Sequence, residues 1–231
     1  MTTPSGKISE NLHKVHERIR TAANACGRDA LEIRLLAVSK TKPASAIREA
    51  YAAGQRAFGE NYVQEAVAKM AELADLDIEW HYIGGIQSNK TRSIAEHFDW
   101  AHGVASLKHA RRLSEQRPGN MPPLDICLQV NISGESSKHG IEPAQAAGLA
   151  AAVAELPHVR LRGLMALPEP TEDPHAQRRA FGEVRELLES LKTTGLQLDT
   201  LSMGMTNDLE AAIEEGSTMV RIGTAIFGAR N

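Results

Sequence analysis

A lysine at the end of a buried strand is the first residue of this sequence that could do chemistry. The stretch IRLLAVSKTKP, residues 33–43, carries an apolar run at 35–38 that is followed by Ser39 and Lys40. An unbroken apolar run is typical of a strand that is buried on both faces. Lys40 is therefore either a solvated strand end or an amine held in a pocket, where it can be deprotonated and react.

Two glycine-containing segments in the last part of the chain could bind an anion. Ser202 and Gly204 lie in LSMGMTND before one predicted helix, and Gly223 and Thr224 lie in VRIGTAIFG before another. Helix N-termini offer unpaired N–H groups that attract phosphate. Ordinary turns, with Gly for its dihedral freedom and Thr for capping, would explain either segment alone. Both segments together, after the last two predicted strands, favour a phosphorylated ligand.

The lysine and the anion-binding segments together indicate Schiff-base chemistry. A lysine amine near a phosphate site can condense with a phosphorylated carbonyl compound, either a sugar phosphate or pyridoxal phosphate. Lys42 adds a second positive charge, which would lower the pKa of Lys40 if the two amines lay close together. The residues alone leave both ligands open.

Arg221 lies inside the last apolar run, MVRIG, where a charged side chain needs a polar partner. The partner could be a ligand. The alternative is a buried ion pair with a carboxylate, for which Glu60, Glu135 and Asp208 are the candidates.

The elements that would position these residues alternate along the chain. Strands alternating with helices, eight strands in all, favour a (β/α)8 barrel over an open doubly wound sheet, and neither GxGxxG nor GxxxxGK[ST] occurs. A helical pattern precedes the first strand. We therefore expect an α/β fold with one TIM-type barrel domain over residues 1–231 and an extra N-terminal helix. The predicted strands are 33–39, 56–59, 80–84, 100–104, 124–132, 160–166, 198–203 and 219–223; the predicted helices are 5–26, 44–53, 62–74, 90–97, 107–116, 143–156, 175–192 and 207–215.

Composition and charge exclude several classes of protein. The chain has 231 residues, a formal charge of −3 and ordinary globular composition, so we expect neither nucleic-acid nor membrane binding. Cys26 and Cys127 lie far apart and outside any Cys/His cluster, which argues against disulfides and metal sites. The N-terminus lacks the apolar region of a secretory signal, so we expect a cytoplasmic protein.

Long stretches of the sequence resemble the pyridoxal-phosphate homeostasis protein family, which is similar to the N-terminal barrel domain of alanine racemase. The resemblance runs from about residue 33 to residue 230, and its last segment is the most specific. Small departures affect local details only, such as the absence of an acidic residue from HGVAS. The matching segments are LLAVSKTKP, FGENYVQEA, WHYIGGIQSNK, QVNISGESSKHGI, RGLMALP and LSMGMTNDLEAAIEEGSTMVRIGTAIFGAR.

The resemblance implies a role for each candidate residue. Lys40 would carry pyridoxal 5'-phosphate (PLP) as an internal aldimine, and Arg221 would face the pyridine nitrogen. Lys138 would lie near the mouth, where it would bind or relay the cofactor. Residues that would line the ring or hold the phosphate are Asn61, His81, Ser202, Met203, Gly223 and Thr224.

The resemblance also implies binding without robust catalysis. Arginine is a permanent donor and leaves the pyridine nitrogen unprotonated, which makes the ring a poor electron sink. The resemblance ends with the barrel, so we expect the second domain that gives alanine racemase a catalytic tyrosine to be absent. We expect a monomer that holds PLP in vitamin B6 homeostasis and supplies it to PLP-dependent apo-enzymes. A weak amino-acid racemase is the main alternative, and a class I aldolase is the next.

Overall fold

Eight parallel strands close into a barrel in the order β1 to β8. We describe residues 6–132 and 139–229 of a computed structural model. Each strand pairs in parallel with the next, and β1 pairs with β8, which confirms the predicted (β/α)8 architecture. The strands are β1 (Arg34–Val38), β2 (Ala57–Glu60), β3 (Glu79–Tyr82), β4 (Trp100–Val104), β5 (Leu124–Val130), β6 (Val159–Ala166), β7 (Thr200–Ser202) and β8 (Met219–Ile222).

Helices follow the strands and surround the barrel. One element was not predicted, a 3₁₀ turn at Ala30–Glu32 before β1, and the helix expected to start after Gly223 is present as a short helix at Thr224–Phe227. A second 3₁₀ turn, Pro143–Gln145, takes up the start of the helix predicted at 143–156. The helices are α1 (Lys7–Ala25), α2 (Ala44–Ala52), α3 (Val63–Glu72), α4 (Thr91–His97), α5 (Leu107–Gln116), α6 (Ala146–Ala154), α7 (Pro174–Lys192), α8 (Leu209–Glu214) and α9 (Thr224–Phe227).

The predicted N-terminal helix is present as α1, and it packs against α2, α8 and α9. Its apolar residues recur every three or four positions, so Ile8, Leu12, Val15 and Ile19 are all buried along one stripe. The helix therefore covers the side of the barrel where β8 meets β1. The predicted extent of the domain, residues 1–231, includes positions outside the described ranges and stays a prediction.

The core has two parts because a barrel strand presents its residues alternately outward and inward. Outward residues such as Leu35 and Ala37 join the large apolar cluster beneath the helices. Inward residues form two small clusters, one containing Leu36, Ala57 and Met219 and the other containing Trp100, Cys127 and Met165. Within the described ranges, no helix is long and apolar enough to cross a membrane.

Gly163 on β6 lies so close to the backbone of β7 that it leaves no space for a side chain. A Cβ atom there would lie 1.9 Å from the Thr200 carbonyl oxygen on β7, and the register of β6 against β5 shifts just before it. We expect Gly163→Ala to lower the free energy of unfolding by about 3 kcal/mol or more, because strand backbones cannot move apart without losing ladder hydrogen bonds. Gly148→Ala is the control, since a Cβ atom there meets nothing within 4 Å and helix propensity improves. Urea unfolding of both variants measures the difference, and equal stabilities would contradict the prediction.

Candidate functional site

A cavity of about 1230 Å³ opens at the mouth formed by the carboxyl ends of the strands. Its inner wall includes Lys40 after β1, Asn61 after β2, and Arg221 on β8. Gly223 and Thr224, at the junction of β8 and α9, line the same cavity. The structure therefore brings five of the eight predicted site residues together.

The other three predicted site residues lie deeper in the molecule and are not among those lining the cavity. His81 and Ser202 are fully buried on β3 and β7, and Met203 belongs to the main apolar core. Their predicted contact with the cofactor therefore stays a prediction that the cavity lining does not support. Lys138 falls outside the described residues.

Strand register explains this division. Gly59 on β2 pairs with His81, so Asn61 lies two residues closer to the mouth than His81 does. Ser202 pairs with Met219, so Arg221 lies two residues closer to the mouth than Ser202 does. The inward face of the barrel thus has layers, and His81 and Ser202 occupy the layer below the cavity.

Lys40 reaches the cavity because β1 continues its inward face to the strand end, where Val38 and Lys40 both line the wall. The chain then turns sharply at Thr41, which has a positive φ of 64°. The Thr41 N–H donates to Glu65 Oε1 at 2.6 Å. Lys42 is directed to the C-terminal segment, where its Nζ donates to the Ala229 carbonyl oxygen at 2.8 Å.

A buried charged network that the sequence reasoning missed supports the backbone beside Lys40. Lys69 of α3 donates from Nζ to Glu60 Oε1 at 2.8 Å and to the Ser39 carbonyl oxygen at 2.9 Å. Ser39 Oγ donates to the same Glu60 oxygen at 2.6 Å. Burial raises the pKa of Glu60, against the opposing effects of Lys69 and Ser39. The sequence does contain a signal for this network, because Lys69 lies on the same face of α3 as the apolar residues Val63 and Ala66.

Arg221 is held by neutral oxygen atoms. Its Nη2 donates to the Ala166 carbonyl oxygen at 2.9 Å, and its Nη1 donates to Ser202 Oγ at 2.8 Å and to the Ser202 carbonyl oxygen. Among the described residues no carboxylate lies within ion-pair distance of Arg221, so the ion pair considered from sequence is wrong for Glu60 and Asp208; Glu135 is not described. Burial lowers the pKa of Arg221 to about 10, which leaves the guanidinium charged at neutral pH.

The inner cavity wall also carries an unpartnered amide oxygen and a glycine that leaves space beside it. Asn61 Oδ1 is buried without a hydrogen-bond partner, so a ligand group that donates a hydrogen bond would satisfy it. At Gly223, a Cβ atom would lie 3.1 Å from the Val38 carbonyl oxygen, so glycine allows the two strand ends to approach closely at this part of the wall. An amine, a guanidinium and an unpartnered amide oxygen on one wall can bind an aldehyde with a polar ring.

The outer part of the cavity lies between the loops that follow β6 and β7. Arg18 pairs there with Glu210, and Arg178 pairs with Glu214, at 2.8 and 3.0 Å. These ion pairs border the entrance, together with the partly exposed side chains of Leu167 and Met205.

Comparison with known proteins identifies the family. The family described as "Alanine racemase, N-terminal domain" matches residues 11–231. The pyridoxal phosphate homeostasis protein of Pseudomonas aeruginosa is 65% identical over 224 residues, which cover 97% of this chain and 96% of that protein. That of Escherichia coli K12 is 56% identical over 227 residues, 97% of each chain. PipY of Synechococcus elongatus, solved with PLP bound, is 40% identical, with a TM-score of 0.84 over 96% of this chain and 100% of that one.

These matches extend over nearly the whole chain and confirm the resemblance that the sequence segments indicated. The chain belongs to the pyridoxal phosphate homeostasis protein family, whose barrel is that of the alanine racemase N-terminal domain.

Proposed function

We propose that this protein binds PLP at the barrel mouth and acts in intracellular PLP homeostasis. The observation that carries the proposal is the convergence of Lys40, Arg221 and Asn61 on one cavity wall. The PLP-bound structure of PipY supports it, because that protein matches this chain over nearly its full length.

In this proposal each residue of the wall has a separate task. The Lys40 amine would hold the aldehyde carbon of PLP covalently, with the loss of one water molecule. Arg221 presents its guanidinium to the ring. Gly223 and Thr224 would hold the phosphate, and Asn61 would accept a hydrogen bond from a ring substituent. The cofactor supplies an electron sink for carbanion chemistry when its ring nitrogen is protonated.

We further propose that the bound PLP is stored and passed to apo-enzymes rather than used for robust catalysis. Arg221 remains charged and donates hydrogen bonds only, so it cannot serve as the carboxylate that keeps a pyridine nitrogen protonated. Release would reverse the condensation, by water or by a second amine. The cytoplasmic location, the monomeric state and the supply of PLP to apo-enzymes stay predictions.

The test is to add PLP to the purified protein and record its absorption spectrum before and after borohydride reduction. We expect a visible band that reduction removes, and a phosphopyridoxyl group on Lys40 in the peptide map. Absence of the band would overturn PLP binding. Rapid exchange of the α-hydrogen of alanine with D₂O by the loaded protein would instead favour the racemase and contradict the storage role.

A further inference from the structure

A continuous series of hydrogen bonds runs through the barrel from the cavity wall to its opposite end. Arg221 Nη1 donates to Ser202 Oγ at 2.8 Å, and Ser202 Oγ lies 2.8 Å from His102 Nδ1. His102 Nε2 lies 2.9 Å from His81 Nδ1, and His81 Nε2 lies 2.5 Å from Glu79 Oε1. Four strands, β3, β4, β7 and β8, therefore contribute one side chain or more to a single connected series.

The middle of this series is sealed from solvent, and one end is not. Ser202, His81 and His102 are each 0% exposed. The Glu79 side chain is 34% exposed at the start of β3, where Arg34 donates to it at 2.6 Å. The indole of Trp100 stacks on His81, with ring centroids 5.3 Å apart. The series thus links the barrel's lower face to the base of the cavity.

The chemistry of the two ends dictates the direction of every proton. A carboxylate only accepts, so His81 must donate from Nε2 to Glu79, and a neutral His81 then accepts at Nδ1. His102 therefore donates from Nε2 to His81 and accepts at Nδ1 from the Ser202 hydroxyl. The Ser202 hydroxyl donates its proton to His102, and its oxygen accepts a hydrogen bond from Arg221. All donors point from the guanidinium towards the carboxylate.

The local electrostatics agree with neutral imidazoles between two charged ends. Burial lowers the pKa of His81, and burial lowers the pKa of His102 still further. Against the effect of burial, hydrogen bonds from His81 and Arg34 and the positive charge of Arg34 lower the pKa of Glu79, so this end of the series is a carboxylate. The other charged groups that act on the two imidazoles are Asp99 and Arg221. Protonating either imidazole would reverse part of the series and leave the Ser202 proton without an acceptor.

We propose that Glu79, His81 and His102 are positioning residues that fix Arg221 beneath the cofactor. This inference rests on the proposed PLP binding. Two backbone carbonyl oxygens, of Ser202 and Ala166, hold the Arg221 guanidinium, and the series adds a third acceptor because it keeps the Ser202 hydroxyl oxygen turned towards Nη1. A fixed cation below the ring would hold the pyridine nitrogen unprotonated and would lower the pH at which the visible band of bound PLP changes.

The first test needs no cofactor. Nitrogen-15 NMR of histidine-labelled apo-protein should show His81 and His102 neutral from pH 5.5 to 8, each with its proton on Nε2. Assignment comes from His81→Phe and His102→Phe spectra. A proton on Nδ1 of either ring, or titration near the ordinary histidine pKa of about 6.5, would overturn the directed series.

The second test measures the consequence for bound PLP. We expect His102→Phe to weaken PLP binding about tenfold and to raise the pH midpoint of the visible band by about 0.5, because the Ser202 hydroxyl loses the acceptor of its proton and no longer holds its oxygen towards Arg221. Ser202→Ala removes only the hydroxyl between His102 and Arg221, and it should shift the midpoint in the same direction. It tests the proposal even if His102→Phe does not fold. Cys127→Ala, a buried barrel residue outside the series, is the control and should leave the midpoint unchanged.

The outcomes separate the two proposals. If the wild-type protein forms no visible band with PLP, the proposed function fails, whatever the NMR spectra show. If the wild type binds PLP and both variants keep its midpoint, the function stands and the positioning role is refuted.

Discussion

Lys40→Ala is expected to abolish covalent attachment of PLP while leaving the barrel folded. The Lys40 side chain lies on the cavity wall, so its removal deletes the nucleophile without opening a gap in the apolar core. The phosphate and ring contacts would remain, and PLP would bind only reversibly, by our estimate about 100-fold more weakly, which is ~2.7 kcal/mol. Mass spectrometry after borohydride reduction should find no phosphopyridoxyl group on the variant.

Lys42→Ala is the matched control for this prediction, because it removes a lysine two residues away that bonds to the Ala229 carbonyl oxygen. It should form the visible band at close to wild-type PLP concentrations. Lys40→Arg separates charge from reactivity, since a guanidinium keeps the positive charge but is a poor nucleophile. A reducible adduct at another lysine of Lys40→Ala, formed as fast as in the wild type, would contradict the assignment.

Much of the fold was readable from sequence because strand ends and unusual residues coincide. Apolar runs set the eight strands, and Lys40, Asn61 and Arg221 each stood out as a polar or charged residue at the end of, or within, such a run. Side chains alternate between the two faces of a strand, so Val38 and Lys40 lie on the same face, and this alternation is enough to predict that Lys40 points inward. These predictions needed local information only.

The sequence alone does not show how deep in the barrel an inward-facing residue lies. His81 and Asn61 both face inward near strand ends, yet register across β2 and β3 places His81 one layer lower. Register follows from the packing of the whole closed sheet, so WHYIGGIQSNK gave no reason to separate a cavity residue from one beneath it. The same holds for Ser202. The ion pair between Lys69 and Glu60 was also missed, because Glu60 ends β2 and Lys69 lies on α3, and the sequence does not show how the helix packs on the strand end.

Lys69→Met is expected to be among the most destabilising single substitutions in the chain. It leaves the carboxylate of the fully buried Glu60 with the Ser39 hydroxyl as its remaining side-chain donor among the described residues, and it removes the hydrogen bond to the Ser39 carbonyl oxygen. Loss of one partner of a buried ion pair costs about 3–5 kcal/mol. Urea unfolding at neutral pH should show this loss. Because Ser39 precedes Lys40, the rate of PLP attachment should also fall.

A double variant and a pH series give this prediction its controls. Adding Glu60→Gln to Lys69→Met removes the unpaired charge, so about half of the lost stability should return. Lys192→Met, which breaks an exposed pair with Glu189, should cost less than about 1 kcal/mol. Burial already raises the pKa of Glu60, and losing Lys69 raises it further. Glu60 is then protonated more readily in the folded state than in the unfolded chain, so the stability deficit of Lys69→Met should shrink as the pH falls and grow as the pH rises. A deficit that is equal at pH 5 and pH 8 would show that lost packing, and not an uncompensated carboxylate, is the cause.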